Sequence, residues 1–408
     1  MATVTVMDEP EHFSFPVLAK LASIGMMGVG LIAFGLTWIG GVELAMTGWV
    51  IAAWYCLGFP LFATVFLAMS HLSSSGWHVV IKRVPEAMTR YLPVAAATFV
   101  VVALAAMFSD FYEWSHPVDH GDLHSELILG KAAWMNPSSF VIRMAIYFGI
   151  WIAASWALVR ASRKQDIDGD VKHTSTGRRI AAPYAALFAI TVTFSSVDYI
   201  MSVEPTWFST MFGVYQFAGI MESGFAMLAL LLIFLRQTGY LRKSVNENHY
   251  HNVGIWLLAA ATFWAYIWFC QFLLIWYSNI PEETQHYLAR WEGPWFWVAF
   301  GLNPLLNWVI PFLILLPRPN KRSPKMLGIA ACIALGGRFI DLWQLVAPRT
   351  HPVDGIPHAA NDVWTVVVGG TLIGVLGLFL FVTLKALEKA PLLAKKDPYF
   401  VESVHHHI

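Results

Sequence analysis

No two cysteines in this chain stand near each other. Cys56, Cys270 and Cys332 are the only three, and neither CxxC nor CxxCH occurs. That leaves no iron–sulfur ligand set of the usual spacing and no attachment site for a c-type haem. Charge is scarce as well. Asp, Glu, Lys and Arg make up 13% of the chain, against about 25% in a soluble domain. The 26 basic residues balance 26 acidic ones, so net charge gives no reason to expect nucleic acid. No polar stretch is long enough to be a separate domain, so any large catalytic domain must come from another chain. The opening MATVTVMDEPEHF lacks the basic n-region of a cleavable signal, and the first apolar run is therefore read as a true span.

Histidine is also short where a haem would need it. Only His71 lies near a span end, with His249 and His251 at the start of another, so no bound haem is expected. His116, His120 and His124 form an H-x3-H-x3-H series that would share one face of a helix. A solvated or partner-docking loop is preferred there over a metal site, and no metal is assigned.

What the chain has in abundance is apolar length. A bilayer-crossing helix needs roughly 20 apolar residues. Ten such runs occur, at about 17–40, 44–70, 88–110, 138–160, 180–201, 207–236, 250–279, 293–316, 325–347 and 362–387. The expected fold class is an all-α integral membrane protein, with the outer loop 111–137 and the inner loop 161–179 the longest connections. The tail 388–408 is expected to be mobile.

Positive charge sorts across these spans. With the N-terminus inside, Lys82, Arg83, Arg90, Arg160, Arg163, Lys164, Lys172, Arg178 and Arg179 fall on the inner side. So do Arg236, Arg242, Lys243, Arg318, Lys321, Arg322 and Lys325, and the terminal Lys20, Lys385, Lys389, Lys395 and Lys396. That is 21 of the 26 basic residues, against three outside: Lys131, Arg290 and Arg349. A cytoplasmic excess of Lys and Arg sets orientation, so both termini are expected in the cytoplasm. A wrong span count would scramble the alternation.

A faint repeat divides the chain. Asp198 to Pro205 ends the fifth span and Asp341 to Pro348 ends the ninth; both read D-x6-P with Val two before the Pro, 143 residues apart. Asn136-Pro137 opens the fourth span and Gly293-Pro294 the eighth. This suggests two four-helix bundles, 44–201 and 207–347, in parallel orientation, flanked by helices in 1–40 and 362–387. An even-span repeat keeps its orientation, unlike the inverted repeats of many transporters.

Ionisable residues inside spans default to functional hypotheses, because burying them costs several kcal/mol unless they are paired or wetted. Glu222 lies mid-span between Gly219 and Gly224, and a carboxyl so central is either protonated or paired. Arg338 and Asp341 are three apart and can pair on one face. Asp198 lies near the outer end of the fifth span with Glu204 just beyond, Arg143 in the outer third of the fourth, and His71 at the inner end of the second. A structural pair, a helix cap or an interfacial side chain is the bland alternative for each except Glu222. Together they form an incomplete polar series of the kind a proton path needs.

The segments DYIMSVEPTWFSTMFGVYQFAG (198–219) and FWAYIWFCQFLLIWYSNIPEET (263–284) resemble the NrfD/polysulfide-reductase type of membrane subunit. They are most similar to the second such subunit of bacterial alternative complex III, and the likeness extends over nearly all the chain. The resemblance implies a non-redox subunit of a complex that oxidises menaquinol or ubiquinol. Partners would be a second NrfD-like membrane subunit and periplasmic iron–sulfur and multihaem cytochrome c subunits, in the bacterial inner membrane. It implies scaffold as the main role, with a proton half-channel as a candidate second one. Glu222, Asp198, Asp341 and Arg338 are residues of the kinds such a path uses, with His71, Arg143 and Glu204 as further candidates.

Three readings remain open at this stage. The chain is a non-redox scaffold and proton conductor, or a quinol-binding subunit with His71 or Asp198 accepting quinol protons, or a secondary transporter. The parallel repeat and the absence of short, Gly/Pro-broken paired helices weigh against the transporter. The outer loops bearing Glu113, Asp119, Glu282 and Glu283 are the expected docking face for the other subunits.

Overall fold

A computed structural model describes residues 10, 12–117, 121, 123–291, 293–348 and 362–407. Ten of its helices are long and apolar enough to cross a membrane, and no named strand occurs among the described residues. The chain is an all-α, multi-pass membrane fold. The spans are α1 (Val17–Gly40), α2 (Val42–Leu72), α3 (Arg83–Phe108), α4 (Pro137–Asp168) and α5 (Lys172–Tyr199). They continue with α6 (Phe212–Gln237), α7 (Glu247–Ser278), α8 (Pro294–Leu315), α9 (Pro324–Val346) and α10 (Asp362–Leu387).

Packing follows a repeated pattern. Helix α2 packs on α3, α3 on α4, α4 on α5, and α5 returns to α2; α6, α7, α8 and α9 close a second ring in the same order. The rings meet where α2 touches α6 and α9, and where α5 touches α6. The most apolar window of α2 is entirely buried and that of α6 is 83% buried, whereas that of α1 is only 17% buried. The two central helices therefore have protein on nearly every side, and α1 leaves most of its apolar surface outward.

Helix α1 is held mainly by α10. Gly30 and Gly374 meet backbone to backbone, and a Cβ on either would collide with the other's Cα. Ala33 packs on Gly370 one turn away. Small residues at this spacing let helix axes approach closely in lipid, where packing rather than water exclusion drives association.

Two expectations change. The segment 161–179 is not a long loop: α4 runs on to Asp168 and α5 begins at Lys172. Gly169, at φ 73°, supplies the left-handed turn between them. Hydropathy marks where the bilayer ends, but Arg, Lys and Gln favour helix and carry it into water until a glycine stops it. The tail is also not loose. Leu392, Ala394 and Ser403 are buried, and Phe400–Val404 is a short helix against the bundle.

The loops gather at two opposite ends. Lys82 pairs with Asp397, Arg178 bonds Tyr399, and Asn246 bonds the His406 carbonyl at the basic end. At the other end Lys131 bonds the Pro205 carbonyl and Trp207 that of Glu283.

Candidate functional site

Asp198 and Asp341, the two repeat-related aspartates, are each enclosed by an arginine, a tyrosine and a tryptophan. Asp198 accepts Arg143 Nε and Nη2 at 2.8 Å each, the Tyr147 hydroxyl at 2.8 Å and Trp134 Nε1 at 3.1 Å. Arg143 also lies over the Trp134 ring, 4.2 Å from its centroid. A bidentate guanidinium plus two further donors leaves this carboxylate no free acceptor direction. Asp341 accepts Arg338 Nη1 at 2.5 Å, the Tyr215 hydroxyl, Asn303 Nδ2 at 3.3 Å and Trp264 Nε1 at 3.4 Å. Here the arginine comes from the same helix, one turn away, rather than from the neighbouring span.

Arg338 extends the second cage toward the first unit. Its Nη2 donates to Gln216 Oε1 at 2.7 Å, and that oxygen also accepts Trp54 Nε1 from α2 at 2.9 Å. The guanidinium fits because residue 219 is glycine; a Cβ there would overlap it.

Glu222 lies one turn along α6 from Gly219. It is fully buried, and neither carboxylate oxygen has a hydrogen-bond partner. Arg338 and Asp341 are the charges that act on it most. A carboxyl without a donor in apolar surroundings must take its partner from outside the fold, as a proton or a water.

Helix α8, which supplies Asn303, is not an ordinary helix. Trp297–Leu302 and Leu305–Val309 are π-helical. Pro304 and Pro311 each lack an N–H and would clash with the carbonyl four residues back in a regular α-helix, and the wider turn relieves this. Asn307 Nδ2 satisfies the Asn303 carbonyl at 2.9 Å and its side-chain oxygen at 2.7 Å. Both asparagines are fully buried.

Tyr215 leads outward from Asp341. It lines a small cavity, together with Gln271, His286, Tyr287, Arg290 and Gln344. Gln271 Oε1 is buried there without a partner. Against the cavity sits a charge cluster beyond the span ends. Glu204 accepts Arg290 Nη2 at 2.7 Å and His286 Nδ1 at 2.8 Å, and Trp207 stacks on the imidazole at 3.9 Å. Burial lowers His286 to about 4, with Arg290 adding to the effect and Glu204 opposing it. Burial pushes the Glu204 carboxyl up, but Arg290 and His286 outweigh it and hold it at about 2. At neutral pH the cluster is therefore a carboxylate, a guanidinium and a neutral imidazole donating through Nδ1.

At the basic end of the first unit a second small cavity is lined by His71, Ser75, His78, Lys82, Glu86 and Asp397, among others. Glu86 is saturated by Arg83 at 2.6 Å, Ser162 at 2.5 Å and Arg163 at 3.2 Å. Burial, with Lys82 nearby, lowers His78 to about 3. Phe62, Phe66 and Phe225 pack together on the α6 side of His78, with Phe62 to Phe225 at 4.7 Å and Phe66 to His78 at 6.0 Å.

The polar residues do not form one file. Asp198 joins Arg143, Asp341 joins Arg338 beside Glu222, Glu204 joins His286 and Arg290, and His71 stands apart at the basic end. Sequence reasoning missed Tyr215, Gln216, Trp264, Asn303, His286 and Arg290. Asn303 and Asn307, four apart in an apolar run with two prolines, were the one available signal. His116 and His124 turn to different carboxylates, Asp110 at 3.7 Å and Glu113 at 2.5 Å, rather than sharing a helix face. His120, Asp119 and Arg349 lie outside the described residues. No group of three or more His, Cys, Asp or Glu able to hold a metal occurs among the described residues.

Fold and site together define a multi-pass α-helical membrane protein with ionisable groups buried in its core. No protein-family model matches the chain, and no curated protein matches it.

Proposed function

We infer that the chain is a membrane subunit that conducts protons through its second four-helix unit and has no redox centre of its own. Its setting would be a quinol-oxidising complex of the alternative complex III type in a bacterial cytoplasmic membrane, with both termini inside. There it would assemble with a second NrfD-like subunit and periplasmic iron–sulfur and multihaem cytochrome c subunits. The setting rests on the resemblance of segments 198–219 and 263–284.

The observation that carries the proton reading is Glu222, fully buried with both oxygens unpartnered. Its neighbour Asp341 bonds Tyr215, and Tyr215 reaches the outer cavity. Asp341 is occupied by Arg338, Tyr215, Asn303 and Trp264, which leaves Glu222 as the unpartnered group free to carry a proton. A quinol-binding role at Asp198 has less support, because four hydrogen bonds from three side chains occupy that carboxylate. A transporter has less support too: α8 is broken by π turns, but its counterpart α4 is a continuous α-helix, so these two do not form a broken pair.

Replacing Glu222 with Gln keeps the volume and removes the titration. The variant is expected to assemble, to oxidise quinol, and to lose proton movement in reconstituted vesicles. An unchanged proton-to-electron ratio would reject the relay.

A further inference from the structure

The cavity at the basic end is partly covered by the chain's own C-terminal segment. Asp397 and Tyr399 form part of its lining, and both come from residues 388–407. That segment crosses the ends of both four-helix units. Ser403 Oγ donates to the Trp77 carbonyl at 2.8 Å and accepts Val80 N–H at 3.1 Å. His249 Nε2 lies 3.0 Å from the Ser403 carbonyl, and the His406 carbonyl accepts Asn246 and Asn248 at 3.1 and 3.2 Å.

The segment is unevenly held. Leu392, Leu393 and Ala394 are buried on one side of the cavity mouth, and Phe400 and Ser403 on the other. Between these anchors none of residues 395–399 is buried, and Tyr399 alone packs, in part, against the apolar core. They are held by polar contacts: Lys82 with Asp397, Lys396 Nζ with the Ile167 carbonyl at 2.5 Å, and Arg178 with the Tyr399 hydroxyl at 3.2 Å. Local opening is easiest where few apolar contacts must break.

Inside, Ser75 Oγ and His78 Nδ1 are buried with no partner. Buried polar atoms of this kind are ordinarily met by water, and the space suffices for one or two waters. On the side of the C-terminal segment, Asp397 and Tyr399 stand between these atoms and solvent.

We propose that the cavity is an aqueous chamber of the first four-helix unit, that residues 395–399 are its lid, and that the Lys82–Asp397 ion pair is the latch. Opening leaves the anchors at Leu392–Ala394 and Phe400–Ser403 in place and lifts Asp397 and Tyr399 out of the wall.

The test uses the full chain in permeabilised native membranes, with Cys270→Ala and Cys332→Ala as background. Ser75→Cys places a thiol at an unpartnered position inside the chamber. Buried Cys56 is retained, and its silence toward a water-soluble maleimide certifies that each variant is folded. Ser75→Cys is expected to react much more slowly than Lys172→Cys, an exposed control. Adding Asp397→Ala or Lys82→Ala should speed the Ser75→Cys reaction about tenfold, as loss of a charged hydrogen bond shifts local opening. The swapped pair Lys82→Glu with Asp397→Lys should restore slow labelling. The proposal is overturned if Ser75→Cys reacts as fast as Lys172→Cys in the parent, or if Asp397→Ala leaves its rate unchanged while Cys56 stays silent. Labelling reads the chamber directly, so either result leaves the proton reading of Glu222 untouched.

Discussion

Tyr215 donates its hydroxyl to Asp341 across the α6–α9 contact and also lines the cavity beside His286 and Arg290. One side chain thus joins the buried charge pair of the second unit to the space beyond it. Tyr215→Phe keeps the ring and removes the link. Asp341 would keep Arg338, Asn303 and Trp264, so the stability loss is expected to be about 1–3 kcal/mol. Proton movement in vesicles should fall while quinol oxidation persists. Wild-type proton movement in Tyr215→Phe would exclude the hydroxyl from the route.

The Glu204–His286–Arg290 cluster should make stability depend on acidity in two windows. His286 is lowered to about 4 from an ordinary value of 6.5. Between those values the unfolded chain binds a proton that the folded one refuses, so stability falls as pH drops. Glu204 is lowered to about 2 from 4.5, so its contribution is present above 4.5 and is lost as pH falls toward 2. His286→Gln should flatten the first window only. Melting temperature across pH 4–7 measures it, and an unaltered slope in the variant would refute the assignment.

Arg290 is the hub of the same cluster, donating also to the carbonyls of His286, Gln344 and Leu345. Arg290→Met would leave Glu204 with His286 alone and take a donor from three carbonyls. A loss of about 3–5 kcal/mol is expected, seen as a lower melting temperature in detergent.

Gly374→Val should detach α1 from α10, because the backbones touch there. Overpacking costs about 1–3 kcal/mol, and the readout is faster proteolysis between α1 and α2. Gly35→Val on α1, where a Cβ meets nothing within 4 Å, should be neutral.

Orientation is open to a labelling test. Asp122→Cys is expected to react with an impermeant thiol reagent in intact cells and Asp168→Cys is not. The reverse pattern would invert the positive-inside assignment.

The ten spans were legible because each needs only a run of apolar residues, a local property. Arg338–Asp341 was legible because its three-residue spacing is local too. The partners that complete the cages were not. Tyr215, Gln216, Trp264 and Asn303 are ordinary in apolar runs and acquire meaning only when α6, α7, α8 and α9 close a ring. The π turns of α8 lie beside Pro304 and Pro311, but Pro60 and Pro183 sit in regular helix, so proline alone does not announce them. The docked tail was signalled by Leu392, Leu393 and Phe400, but polar residues between them masked the pattern. Arg160 to Arg179 misled for the opposite reason: their charge marks the edge of the bilayer, not the end of the helix.

Helix α2 also constrains how the protein is made. It is completed at Leu72, yet the helices that surround it include α5, α6, α9 and α10, the last ending at Leu387. During synthesis it must wait in lipid, which its long apolar run permits, while more than three hundred further residues are added. The centre of the molecule is therefore among the first parts inserted and among the last to be enclosed. A chain interrupted before α9 would leave the inward face of α2 open to whatever apolar surface reaches it first.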